Sequence, residues 1–275
     1  MKILFRVSVL FFGITIPATS PSFAQSGWFW QNPLPQGNHL EAAATLDPST
    51  VVAVGAGGTI LRTTNGGATW APQSSGTINF LLGVSFVDAN TGTAVGAAGT
   101  ILLTTDGGAT WTPQSSGTTN PLLGVAFVDA NTGTGVGDFG TIRRTTDGGA
   151  TWTPQSSGTT NPLLGVAFVD ANTGAAVGYF GTILRTTDGG ATWTPQSSGT
   201  TSWLNGVSFV DANTGTAVGG GEVGTIRRTT DGGATWTPQS SGTANILVAV
   251  FFVDANTGTA VGGGGTILRT VTGGE

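Results

Sequence analysis

Apolar residues in this chain come in short runs separated by clusters of Gly, Asp, Asn, Ser and Pro. The stretch 122–161, LLGVAFVDANTGTGVGDFGTIRRTTDGGATWTPQSSGTTN, shows the pattern. LLGVAFV is a run of β-branched and large apolar residues and predicts a strand. DANTG predicts a turn, TGVG a short strand, DFG a tight turn and TIRRTT a third strand. DGG is another turn, and TWTPQSS predicts an outer strand in which Pro154 suits an edge position. No segment carries a helical period. Both faces of the strands are apolar, as expected of a sheet sandwiched between two others.

The phrase TTDGGATW occurs four times and TTNGGATW once, ending at Trp70, Trp111, Trp152, Trp193 and Trp236. The spacings are 41, 41, 41 and 43 residues, the mark of a repeat architecture. Four short antiparallel strands per repeat predict a propeller blade. First strands fall near Leu40, Leu81, Leu122, Leu163, Leu204 and Leu247, which makes six. The last unit stops at GTILRTVTGGE, without the Trp-bearing strand, while SGWFWQNPLPQG near the start resembles that strand. The expected fold is therefore all-β: a β-propeller of about six four-stranded blades. Residues 27–35 are expected to complete the blade begun near 247 and close the ring, removing two open edges.

Composition narrows the function classes. Charged residues make up 8% of the 275, and the balance is acidic, with Lys+Arg 9 against Asp+Glu 14. Lacking a basic cluster, the chain is a poor match for nucleic acid or anionic lipid. It has no Cys, so no disulfide or thiolate metal site. Residues 1–24 have a basic start (Lys2, Arg6), an apolar run from Val7 to Ile16 and small residues before Ala24. That layout predicts a secretory signal peptide, the run being too short for a permanent membrane anchor. The predicted mature chain, 25–275, keeps 7 Arg against 14 acids, a net −7.

Written Thr-x-Asp-x-Gly-x-Thr-Trp, the repeated phrase matches the Asp-box of bacterial neuraminidase repeats. In it Asp106, Asp147, Asp188 and Asp231 are expected to accept hydrogen bonds from the N–H groups that follow, with Asn65 capping the first copy. The paired glycines permit positive φ, and Trp70, Trp111, Trp152, Trp193 and Trp236 are expected to plug the space between sheets. Thr272, where Asp is expected, predicts a weaker last turn. On this reading the phrase is a structural fastener. DANTG begins like a calcium loop, but its fifth residue is Gly, and Gly99 stands where a bidentate Glu is needed, so a hairpin turn is expected and no metal. The wider wording, AVG…GTILRTTDGGATW, resembles the propeller family of photosystem II assembly (stability) factors across 27–275. That resemblance implies an exported, non-enzymatic propeller, without cofactor, that binds assembling membrane-protein subunits. The family usually has seven blades against the six counted here, and its lipid-anchored members need a Cys that this chain lacks.

Individuality among the copies is confined to one face, where the loop between strands two and three meets the connection to the next blade. Phe139, Tyr179 and Phe180 fall there at turn tips where other copies carry Gly or Ala, and Trp203 falls in the connection where other copies carry Phe80, Pro121, Pro162 and Ile246; Asp138 and Glu222 flank them. Such a patch is expected to serve a protein interface or a sugar platform. An Arg recurs on strand three and is expected to pair with backbone carbonyls or a carboxylate between blades; in the functional version the doublets Arg143–Arg144 and Arg227–Arg228, which bracket the aromatic patch, dock an acidic partner. A sialidase-like or other glycoside hydrolase would need a Tyr nucleophile or a carboxylate pair. Only Tyr179, in a turn, and Asp138 with Glu222, on non-adjacent blades, are at hand; His39 stands alone. The expected function is an exported, monomeric binding or assembly module without catalytic residues, with a secreted carbohydrate-binding or sialidase-like propeller as the alternative.

Overall fold

A computed structural model describes residues 37–221 and 223–274. Residues 1–24, expected as a signal peptide, 27–35, expected as the closing strand, and Glu222 lie outside the described residues. The architecture is a six-bladed all-β propeller. Blade one comprises Leu40–Thr45, Val51–Gly55, Ile60–Thr63 and Ala71–Gln73, paired in that order. Blades two to five repeat the arrangement, beginning at Leu81, Leu122, Leu163 and Trp203. The sixth sheet shows three strands among the described residues, Leu247–Phe252, Gly258–Gly262 and Thr266–Thr270. No helix among the described residues is long and apolar enough to cross a membrane.

Every adjacent pair within a blade is antiparallel, and the first pair carries a bulge near its start, as between Leu81 and Gly83. There the chain makes a close approach. The N–H of Ala97 donates to the carbonyl of Phe80 at 2.8 Å. A Cβ on Gly96 would run into that same carbonyl, so glycine is required there. Blades stack through apolar faces: Val52, Val54 and Ile60 of blade one pack against Leu81, Val84 and Phe86 of blade two. Val95 and Ile101 meet Leu122 and Val125 in the same way. The first-strand leucines Leu81, Leu122, Leu163, Leu204 and Leu247 have no exposed surface. Each contributes roughly 1.5–3 kcal/mol by leaving water.

The TTDGGATW turn forms locally. Thr104 Oγ1 donates to Asp106 Oδ1 at 2.9 Å and accepts the Gly108 N–H at 2.9 Å. Asp106 accepts the Thr110 N–H and, at 2.6 Å, its hydroxyl. The chain then delivers Trp111 into the interior, edge-on to Phe86 with ring centres 6.0 Å apart. Trp152, Trp193 and Trp236 take the same place beside Phe127, Phe168 and Phe209, and Asp147, Asp188 and Asp231 repeat the bonds of Asp106. Asn65 substitutes its amide: Oδ1 accepts the Thr69 N–H and Nδ2 donates to the Thr69 hydroxyl, both at 2.9 Å. Trp70, after it, is half-buried. In the last turn the Thr272 and Thr270 hydroxyls lie 3.4 Å apart, and the Thr272 N–H donates to Thr270 Oγ1.

Candidate aromatic binding face

Strand direction alternates, so each blade presents its DANTG turn and its TTDGGATW turn on one face. The turns between strands two and three and the connections between blades lie on the other. The first face is polar. Asp129 accepts the N–H groups of Asn131 and Thr132 at 2.8 Å, which hold its carboxyl below the usual range. Asp106 is held lower still, at about 2, first by the Thr110 hydroxyl and then by the Thr110 N–H. These carboxylates are consumed by their own turns. Among the described residues no group of His, Cys, Asp and Glu is placed to hold a metal.

The second face is apolar. Seven of the ten large hydrophobic residues exposed among the described residues lie on it: Ile78, Phe80, Phe139, Phe180, Trp203, Val223 and Ile246. Its tight turns are braced the same way in blades one to four and six, by an N–H bond to the carbonyl of the residue before strand one. In blade four the Tyr179 N–H donates to the carbonyl of Pro162 at 3.0 Å, and the Thr182 hydroxyl donates back to Tyr179 O at 2.7 Å. This bracing forces the middle residue into the left-handed region. Blades one and six place Gly57 (φ 63°) and Gly264 (φ 62°) there. Blades two, three and four place Ala98 (φ 54°), Phe139 (φ 56°) and Phe180 (φ 56°). A side chain in that conformation costs roughly 1–2 kcal/mol, and the two phenylalanines recover little by burial, being 70% and 64% exposed. Backbone strain of this kind, held where glycine serves elsewhere in the same molecule, is of the sort that clusters at functional sites in proteins generally.

Three of the four aromatic residues singled out in the sequence meet. Trp203, at the start of blade five, stacks flat on Tyr179 of blade four, with ring centres 4.7 Å apart and planes 5° from parallel. Phe180 stands edge-on to Tyr179 at 6.2 Å. Phe139 occupies the place of Phe180 one blade earlier, and half-buried Asp138 precedes it.

The arginine doublets divide. Arg144 and Arg228 are buried, which corrects the expectation that they dock a partner. Arg144 lies over the Phe168 ring at 5.0 Å and donates to Thr134 Oγ1 and to the Ala171 carbonyl of the next blade. Arg228 does the same with Phe252, Thr216 and Ala255. The physical reason is side-chain alternation: these positions face the following blade, where apolar stems and unpaired turn carbonyls await a cation. Burial pulls the Arg144 guanidinium below its usual pKa. Arg143 and Arg227 are half-buried and donate to the inter-blade carbonyls Gly117 O and Gly199 O at 2.7 and 2.8 Å.

No protein-family model and no curated protein sequence matches the chain. Solved structures do. One of YCF48 bound to D1 peptide is similar over 93% of this chain and 84% of that one, at 21% identity and a TM-score of 0.72. YCF48 from Cyanidioschyzon merolae is similar over 90% and 86%, at 23% identity and 0.70. The GH74 enzyme of Niastella koreensis is similar over 86% of this chain but 45% of its own, at 18% identity and 0.67. At these identities the likeness is one of fold.

Proposed function

We propose that this chain is an exported, non-enzymatic propeller that binds protein segments on the face carrying Phe139, Tyr179, Phe180 and Trp203. The observation that carries the reading is the left-handed backbone of Phe139 and Phe180, both largely exposed. Two blades hold an aromatic ring out to solvent against a conformational cost that glycine avoids in blades one and six. Beside them the rigid Tyr179–Trp203 stack offers a flat apolar anchor of the kind that dominates interface energetics. The resemblance to photosystem II assembly (stability) factors in the repeat wording, together with the fold shared with YCF48, a protein seen holding a peptide, favours a partner among assembling membrane-protein subunits. The leader-like residues 1–24 support export, to a periplasm, a lumen or the medium. The repeated turn, on this proposal, is an Asp-box serving as fastener, its carboxylate spent on Thr hydroxyls and N–H groups.

Capture from the envelope of the source organism tests this, comparing the chain from residue 25 with a variant carrying Phe139→Ala, Tyr179→Ala, Phe180→Ala and Trp203→Ala. Truncating anchors of this type typically costs about 2 kcal/mol or more each, so affinity is expected to fall at least about thirtyfold. A partner retained equally by both chains removes the face from consideration. The exposed Trp203 ring and the GH74 likeness give a second reading, a carbohydrate platform. It takes over if glycans, and no protein, quench Trp203 fluorescence.

A further inference from the structure

Asparagine followed by glycine occurs twice in the chain, at Asn65–Gly66 and at Asn205–Gly206. The pair is chemically distinctive because glycine has no side chain to keep its backbone nitrogen away from the preceding side-chain amide. Folding treats the two copies unequally. Asn205 is half-buried in the first strand of blade five, and its Nδ2 donates to the Leu247 carbonyl of blade six at 2.8 Å. Gly206 stands opposite Val218 in the ladder, and a Cβ there would lie 3.2 Å from Ala249 Cα. Asn65 and Gly66 are both exposed, in the first copy of the repeated turn.

The turn around Asn65 is packed more loosely than its four counterparts. A Cβ on Gly66 would meet only Pro48 O, at 3.8 Å, whereas on Gly107, Gly148, Gly189 or Gly232 it would stand 2.7–3.3 Å from the nearest carbonyl. Trp70 is half-buried, while Trp111, Trp152, Trp193 and Trp236 are buried. The Gly66 N–H donates to Ser49 O at 2.8 Å, so its nitrogen becomes reactive on a local opening of the turn, a smaller event than unzipping a strand. An aspartate in this place would already have its partners. Asn65 Oδ1 accepts the Thr63 hydroxyl and the Thr69 N–H, bonds that a carboxylate keeps. Nδ2 donates to the Thr69 hydroxyl at 2.9 Å. In the other copies the corresponding hydroxyl turns its proton round and donates to the Asp carboxylate at 2.6 Å.

We propose that Asn65 is a site of spontaneous deamidation, which converts the first turn to the aspartate form of the other four. The Gly66 nitrogen gives its proton to solvent base and attacks Asn65 Cγ. A Cγ–N bond forms, the Cγ–Nδ2 bond breaks, and the amide nitrogen takes up a proton and leaves as ammonia. Water then opens the succinimide. Addition at Cγ returns a proton to the Gly66 nitrogen and leaves aspartate, whereas addition at the backbone carbonyl leaves isoaspartate. Only aspartate restores the turn, because isoaspartate inserts a methylene into the main chain. Each conversion adds a negative charge to the polar face at neutral pH, so the protein divides into charge isoforms while the aromatic face is unaltered.

The unaltered chain, kept folded in mildly alkaline buffer and digested at intervals, provides the test by mass spectrometry of the peptides containing Asn65 and Asn205. Expected is loss of the amide at Asn65 at least about tenfold faster than at Asn205, with the two rates converging when the chain is unfolded in denaturant. Equal rates in the folded chain, or faster loss at Asn205, overturn the proposal. So does retention of both amides over a period in which the unfolded chain loses them. A difference that persists in denaturant belongs to the local sequence and overturns the role given to the fold. Asn65→Asp supplies a second measurement: its denaturation midpoint at neutral pH is expected to equal or exceed that of the parent. A lower midpoint refutes the fit of the product to the turn.

Discussion

Ala98→Gly isolates the conformational strain on which the binding face is argued. Ala98 is exposed, so deleting its methyl forfeits almost no burial. Its φ of 54° belongs to the left-handed region, where a side chain costs about 1–2 kcal/mol. Against this, glycine enlarges the freedom of the unfolded chain by about 0.4–1 kcal/mol. The difference leaves Ala98→Gly more stable by about 0.5–1 kcal/mol, or about 1–4 °C in Tm for a domain of this size. At an ordinary strand or helix position the sign is reversed, glycine losing about 0.5–1 kcal/mol to alanine. Denaturant titration at unchanged slope measures the quantity. The same comparison at Phe139, Gly against Ala, removes the ring in both variants and leaves only the backbone term, so Phe139→Gly is expected to exceed Phe139→Ala by a similar amount. Should alanine be the more stable at both positions, these turns are not strained, and the argument that Phe139 and Phe180 are held there for binding fails.

Two further outcomes follow from the blade interiors and the polar face. Trp152 is buried against Phe127, so Trp152→Ala is expected to lose about 3–5 kcal/mol by denaturant titration; a loss below 1 kcal/mol contradicts the plug. Asp106, Asp147, Asp188 and Asp231 are held at about 2, against a usual 3.8, chiefly by Thr hydroxyls. A depressed carboxyl stabilises fully above its unfolded pKa and loses that contribution as pH falls through the folded value. Denaturation midpoints are thus expected to hold steady down to about pH 4 and to drop between about pH 4 and pH 2. Asp106→Asn, which imitates Asn65, is expected to lessen the drop; an unchanged profile removes the turn carboxylates as its cause.

Part of this molecule depends only on near neighbours in sequence. The bonds of Asp106 run to Thr104 and Thr110, and those of Asp129 to Asn131 and Thr132. Turn positions, strand order and blade count were therefore legible from spacing alone, as was the face on which the copies differ. What happens between blades was legible only in part. Arg143 and Arg144 are adjacent letters, yet alternation along a strand sends them to opposite sides of one sheet. One reaches the Gly117 carbonyl of the preceding connection, while the other lies buried over Phe168 of the next blade. The carbonyl bonds between blades were expected of a recurring Arg, but which member of each doublet is half-buried and which interior was set by the folded sheet. Likewise Tyr179 and Trp203, 24 positions apart, stack because the connection leaving blade four passes over its tight turn. The left-handed backbone of Phe139 and Phe180 was hidden for the same reason: it is imposed by hydrogen bonds from the turn to the residue before strand one, a partner set by the folded blade. Local hydrogen bonding wrote the blades into the sequence, and the stacking of one blade on another decided which side chains remained outside.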